Sequence, residues 1–147
     1  MLSLDRAGIA ALIPHAGAMC LLDSVEMHDA ERIVCIARNQ SRPDHPLRVG
    51  DALPTLCGIE YAAQAMAVHG GLTALEGARP RAGYLAALRD VRCVRPRLDA
   101  VAGELRIEAI RLMGDAANVI YEFCIAGEDA VILSGRATVI LDVGGAA

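Results

Sequence analysis

The feature that most constrains this chain is the stretch TLCGIEYAAQAMAVHGGLTALE from Thr55, in which Glu60 is the only charged residue before His69. It is apolar and rich in alanine, so it predicts a helix of about 15 to 20 residues that needs cover on several sides. Leu56, Ile59, Ala63 and Met66 can line one side, while Ala62, Ala65 and Ala67 let a sheet approach closely. Gly70 and Gly71 are placed to end the main helix, with 72–76 as an additional turn.

The rest of the chain supplies the cover. SLDRAGIAAL at 3–12 forms a short helix capped by Ser3, and Pro14 ends it near Ile13. LLDSVEM at 21–27 and ERIVCIAR at 31–38 predict two strands around a turn containing His28, Asp29 and Ala30. In the second, Ile33 and Cys35 share one face and Val34 and Ile36 the other, as expected if both faces are covered. NQSRPDHPLRVGDALP at 39–54 is a long polar connection of the kind that carries function. Pro80 separates the helix from GYLAALRDVRCVR, an extended stretch that bends around Arg89 and Asp90. ELRIEAIRLM (104–113), ANVIYEFCIA (117–126) and AVILSGRATVIL (130–141), split by GDA and GED turns, make an antiparallel meander. The expectation is one α+β domain over 1–147, its helix wrapped by five or six curling strands. Open sheet edges paired between two copies would give a dimer.

Charge and composition narrow the functions. The formal charge is −4, all 14 basic residues are arginine, and there is no Trp and a single Phe, which argues against a nucleic-acid binder. Arg79, Arg81, Arg89, Arg92, Arg95 and Arg97 cluster with only Asp90 opposing them, as either a solvated face or a surface that steers an acidic partner. The N-terminus lacks a basic region before its short apolar stretch, and no apolar run approaches about eighteen residues. A cytoplasmic chain without a membrane span is expected. Cys20, Cys35, Cys57, Cys93 and Cys124 contain no C-x-x-C pair and are expected to be buried thiols in a reducing compartment, with no metal site.

Several residues can carry chemistry. Glu60, a lone carboxylate on a buried helix, suits a general acid; the alternative is a helix-edge carboxylate in water or at a dimer seam. Gln64, one turn later, is an orienter or a structural link. His45, in the polar loop, can fold back as a base opposite the helix or remain an exposed loop residue. Amides near Thr55, Leu56 and Cys57 have no helical acceptor and can polarise a carbonyl. Cys57 is a small core residue before it is a nucleophile, and Tyr61 is expected to pack. His69 is expected to close the helix, His15 to sit in a structural turn and His28 to face solvent in a turn.

Three segments carry a resemblance: LIPHAGAMCLLDSV at 12–25, DHPLRVGDALPTLCGIEYAAQAMA at 44–67 and GYLAALRDVRCVRP at 83–96. Together they resemble the hotdog-fold 3-hydroxyacyl-acyl-carrier-protein dehydratases, FabZ-like, and especially the divergent branch of aryl polyene biosynthesis. The resemblance implies a hotdog fold and conversion of a 3-hydroxyacyl thioester to a trans-2-enoyl thioester. It implies His45 as the base at C2, Glu60 as the acid on the leaving hydroxyl, and Thr55 and Leu56 at the carbonyl. It implies no cofactor, the substrate riding on the phosphopantetheine arm of acyl carrier protein, guided by Arg89, Arg92, Arg95 or Arg97. The family loop G-H-F-P-G is here D-H-P-L-R, with His45 one residue farther from its acidic partner. That departure raises a second reading, a non-catalytic partner in a heteromer with another hotdog dehydratase; a hotdog thioesterase is a third.

Overall fold

The computed structural model describes residues 4–13, 17–73, 83–115 and 117–141. Ser3, Pro14, His15, the 74–76 turn, Arg79, Pro80 and Arg81 lie outside them. Helix α1 spans Arg6–Ala10, and its cap is Asp5 rather than the expected Ser3, because the Asp5 carboxylate accepts from the Gly8 amide at 3.0 Å. A short 3-10 turn over Thr55–Cys57 leads into the long helix α2, Gly58–Thr73.

Six strands form one antiparallel sheet in the order β1-β2-β4-β5-β6-β3: β1 Ser24–His28, β2 Arg32–Ala37, β3 Gly83–Cys93, β4 Leu105–Gly114, β5 Asn118–Gly127 and β6 Ala130–Leu141. The meander of β4 to β6 falls where the alternation placed it. β1 begins three residues later than expected, since Leu21 has its backbone engaged elsewhere: its amide donates to Gln64 Oε1 (2.9 Å) and its carbonyl accepts from Asn39 Nδ2 (2.9 Å). His28 is the last residue of β1, and the turn beyond it is held by the Asp29 carboxylate, which accepts from the Glu31 and Arg32 amides.

The helix buries only part of the predicted set: Ala62, Ala65 and Met66 are buried as expected, while Ile59 and Ala63 are only partly buried. Gly58, Tyr61, Ala62, Ala65, Val68 and His69 face the sheet at the i, i+3, i+4 spacing, whereas Leu56 and Ala67 are exposed. Nearly every residue of this helix is apolar, so hydropathy alone does not choose its inner face. Gly58 sets the closest approach: a Cβ there would lie 2.7 Å from Ile125 Cδ1 and 2.8 Å from Leu133 Cδ2. The helix also runs through Gly70 and Gly71 to Thr73, because Gly71 lets Leu12 pack against it and Thr73 Oγ1 donates to the His69 carbonyl at 2.8 Å. On β2, Ile33, Cys35 and Ala37 join the core, while Val34 and Ile36 are buried on the other face. There the Arg106–Glu26 and Arg32–Glu108 pairs flank them, from β4 to β1 and from β4 to β2. Among the cysteines only Cys20 and Cys35 are fully buried; Cys93 is exposed, because β3 is an edge strand, and all five are free thiols. Among the described residues no helix is long and apolar enough to cross a membrane.

Candidate functional site

The polar loop before the helix folds back on it. Two successive turns, His45 N–H to the Arg42 carbonyl and Arg48 N–H to the His45 carbonyl, set the His45 side chain against α2, where it is only 6% exposed. Nδ1 accepts from the Leu47 amide at 3.1 Å, so in the neutral ring the proton sits on Nε2, which donates to Tyr61 Oη at 2.7 Å. Tyr61 in turn donates to Asn39 Oδ1 at 2.6 Å, and Asn39 donates to the Leu21 carbonyl. Burial lowers the His45 pKa and the nearby Arg48 lowers it further; burial also raises that of Tyr61. The imidazole is therefore held neutral, with its one lone pair already used by a backbone N–H.

Glu60 is half-buried in the first turn of α2 and accepts from Gln64 Nε2 at 3.3 Å. Gln64 is fully buried, and its amide ties the helix to the preceding segment, donating to the Met19 carbonyl (2.7 Å) and accepting from Leu21 N–H. Of the three amides at the helix start, Thr55 donates to the Pro96 carbonyl (3.0 Å) and Cys57 to that of Pro54 (3.0 Å). Only Leu56 among them has no backbone acceptor among the described residues, and its side chain is exposed. The Thr55 hydroxyl is buried with no hydrogen-bond partner among the described residues. Cys57 packs its thiol on the Leu47 carbonyl, and burial raises its pKa, which is a core setting rather than a nucleophile's.

A cleft of about 510 Å³ opens onto His45 and Asn39, lined mainly by Arg6, Asp23, Arg38 and Arg42. Glu60 is not part of its lining. His69, expected to close the helix, instead pins it laterally: Nδ1 meets Tyr121 Oη at 2.7 Å and Nε2 meets the Asp29 carbonyl at 2.9 Å. The arginine run divides. Arg95 pairs with Glu128 at 3.1 Å, and Arg97 pairs with Asp99, which also accepts from the Leu53 amide and is held well below the usual carboxylate range. Arg89 and Arg92 lie exposed on β3. The sequence reading overlooked Asn39 and the polar role of Tyr61. The signal was a phenol on a helix otherwise buried through small and aliphatic residues, since a buried Tyr hydroxyl needs a partner.

A long helix held within a single curved antiparallel sheet, approached by a polar loop at its N-terminal end, defines a hotdog-fold protein. The chain belongs to the ApeP-like family, described as ApeP dehydratase, whose sequence profile matches residues 7–142. It is similar to a chain of the dehydratase heterocomplex ApeI:P from Xenorhabdus doucetiae, at 26% identity over 90% of each chain with a TM-score of 0.77. A thioesterase from Haemophilus influenzae (12% identity, 94% and 90% covered, TM-score 0.66) shares the fold. So does the PaaI protein of the phenylacetic acid degradation operon of E. coli (14%, 92% and 88%, 0.62). No curated protein matches the sequence.

Proposed function

We propose that this chain is the partner subunit of a hotdog dehydratase heteromer, acting with a second hotdog chain on carrier-linked 3-hydroxyacyl thioesters in aryl polyene biosynthesis. The observation that carries the reading is the state of His45. A base at C2 needs a free lone pair facing the substrate, and here Nδ1 is capped by Leu47 N–H while Nε2–H is spent on Tyr61. The cleft that reaches this histidine is lined by charged side chains, a poor match for an alkyl or aryl chain. The similarity to a chain of the ApeI:P heterocomplex supports the same reading. In this assembly His45 braces the loop, Glu60 is the group this chain offers to a shared site as acid, and the partner supplies the base.

The test is enoyl product formation from a carrier-linked 3-hydroxyacyl thioester by the purified chain, by its hotdog partner and by the two together. The expected result is turnover by the mixture and none by this chain alone. In the mixture, Glu60→Gln should lower the rate by about 10²-fold or more and His45→Ala should leave it within a few-fold when folding is retained. Turnover by the isolated chain that is lost in His45→Ala would overturn the proposal in favour of a self-sufficient dehydratase.

A further inference from the structure

The outer face of the sheet carries its charge in rows. Across β4, β5, β6 and β3, one row of register partners is Ile110, Glu122, Arg136 and Arg89, and the next is Glu108, Cys124, Ser134 and Arg92. Arg136 lies between Gly135 and Ala137, both buried, so these rows lie on the face turned away from the helix. Arg89 and Arg92 both reach that face because a β-bulge intervenes: Asp90 takes φ 54° and Val91 turns inward beside Gly135. On the other side of the Glu122 row the face becomes mostly apolar, with Met113, Ile120, Thr138 and Ala87 in register and Ile140 beside Tyr84 beyond them. Met113, Ile140 and Tyr84 are exposed, large apolar side chains on a face that no other described element covers.

The charges are antisymmetric about a line that runs between β5 and β6, parallel to the strands. Glu122 on one side answers Arg136 on the other, and Glu108 on β4 answers Arg92 on β3. Within the chain this separation is poorly compensated. Glu122 reaches Arg136 only at 3.8 Å, and Arg89 stands directly opposite Arg136, an arrangement of like charges that costs stability. Neither Arg89 nor Arg92 has an ion pair among the described residues, whereas Glu108 meets Arg32 of β2. A two-fold rotation about that line lays β6 of one copy over β5 of another, and β3 over β4, so that each row meets itself. Glu122 then faces the second copy's Arg136, Arg92 faces its Glu108, and the apolar row meets an apolar row. A two-fold axis at right angles to the strands would instead lay β5 on β5 and β6 on β6, carboxylates towards carboxylates and arginines towards arginines.

We propose that this face is a docking surface for a second copy of the chain, stacked sheet on sheet about the two-fold axis between β5 and β6. Aligned sheets pack about 10 Å apart, a gap that Glu and Arg side chains reaching out from both faces can bridge in charge-assisted pairs. A partner of uniform charge fits less well, because it would meet its own sign either at Glu108 and Glu122 or at the three arginines. The contact uses side chains of the face, so it leaves the backbone of edge strand β3 free to pair with another strand. It rests on register and charge and does not depend on the function proposed above.

The test is self-association of the full chain, read as light-scattering mass and as energy transfer between two fluorescently labelled batches, with circular dichroism to confirm folding. Arg136→Glu alone should raise the Kd of the face contact by tenfold or more, because both Glu122 contacts become repulsive, and Glu122→Arg alone should do the same. An equimolar mixture of the two single variants should associate within a few-fold of the wild type, since each contact then joins unlike charges again. The chain carrying both substitutions should do so too, and higher salt should weaken the wild type. Equal association of the wild type and the two single variants would overturn the proposal, as expected if copies meet only through the edge of β3. Loss of association in the single variants without recovery in their mixture would overturn it as well. Because the measurement needs no turnover, either result leaves the partner-subunit reading where it stands.

Discussion

At the scale of single residues, two buried histidines show how burial decides protonation. His45 and His69 are both neutral, each with its pKa lowered from 6.5 first by desolvation, and each holds a tyrosine hydroxyl at 2.7 Å. Tyr121→Phe would leave His69 Nδ1 buried and unpaired, and is expected to cost about 1–3 kcal/mol, read from the urea midpoint. The sign of the pH effect follows from the lowered pKa: as pH falls through 6.5 the unfolded chain takes up protons before the folded one. The stability contributed by the neutral rings is thus complete above about pH 7 and declines below it. The urea midpoint should drop between pH 7.5 and 5.5, and His69→Gln should reduce that drop; a midpoint insensitive to pH would contradict the assignment. From the sequence, Glu60 and Gln64 stood out because polar residues are rare on this helix. The partners of His45 did not stand out, because Asn39 and Tyr61 converge on it from 6 and 16 residues away.

At the scale of elements, the strands of the final meander were legible because alternation and turn residues are local signals. The inner face of α2 was legible only in part, through Ala62, Ala65 and Met66, since a helix apolar on nearly every side gives periodicity little to select. Edge strand β3 combines both situations: its extension and its bend near Arg89 and Asp90 were readable, yet the bulge that gathers Arg89 and Arg92 on one face depends on pairing with β6. Asp90 occupies the left-handed region, so Asp90→Gly should stabilise the chain by roughly 0.5–1 kcal/mol, and Asp90→Val should destabilise it by about 1–2 kcal/mol. Thermal unfolding of the two variants checks this, and the reverse order would mean that the bulge is not held in solution.

At the scale of the whole molecule, the sheet ends on β3, an 11-residue strand exposed along nearly its whole length and bearing Tyr84, Leu85 and Leu88. A long, exposed, partly apolar edge is a template for another strand, so the chain is expected to associate through it. Leu85→Lys together with Leu88→Lys should shift the mass found by light scattering towards the monomer; an unchanged mass would place the contact elsewhere. The sequence by itself determined a long helix with a single charged residue, Glu60, covered by an antiparallel meander, because both patterns are written in neighbouring residues, and its resemblance to a known family implied the hotdog fold. It also pointed to the loop and the helix start as the place where polar groups meet. Only the tertiary structure decided what those groups do there. The engagement of both His45 nitrogens, the use of the Thr55 amide by Pro96 and the row joining Arg136 to Arg89 are contacts between segments far apart in the chain. Their geometry depends on how the loop and the strands pack, and that is set by the fold as a whole.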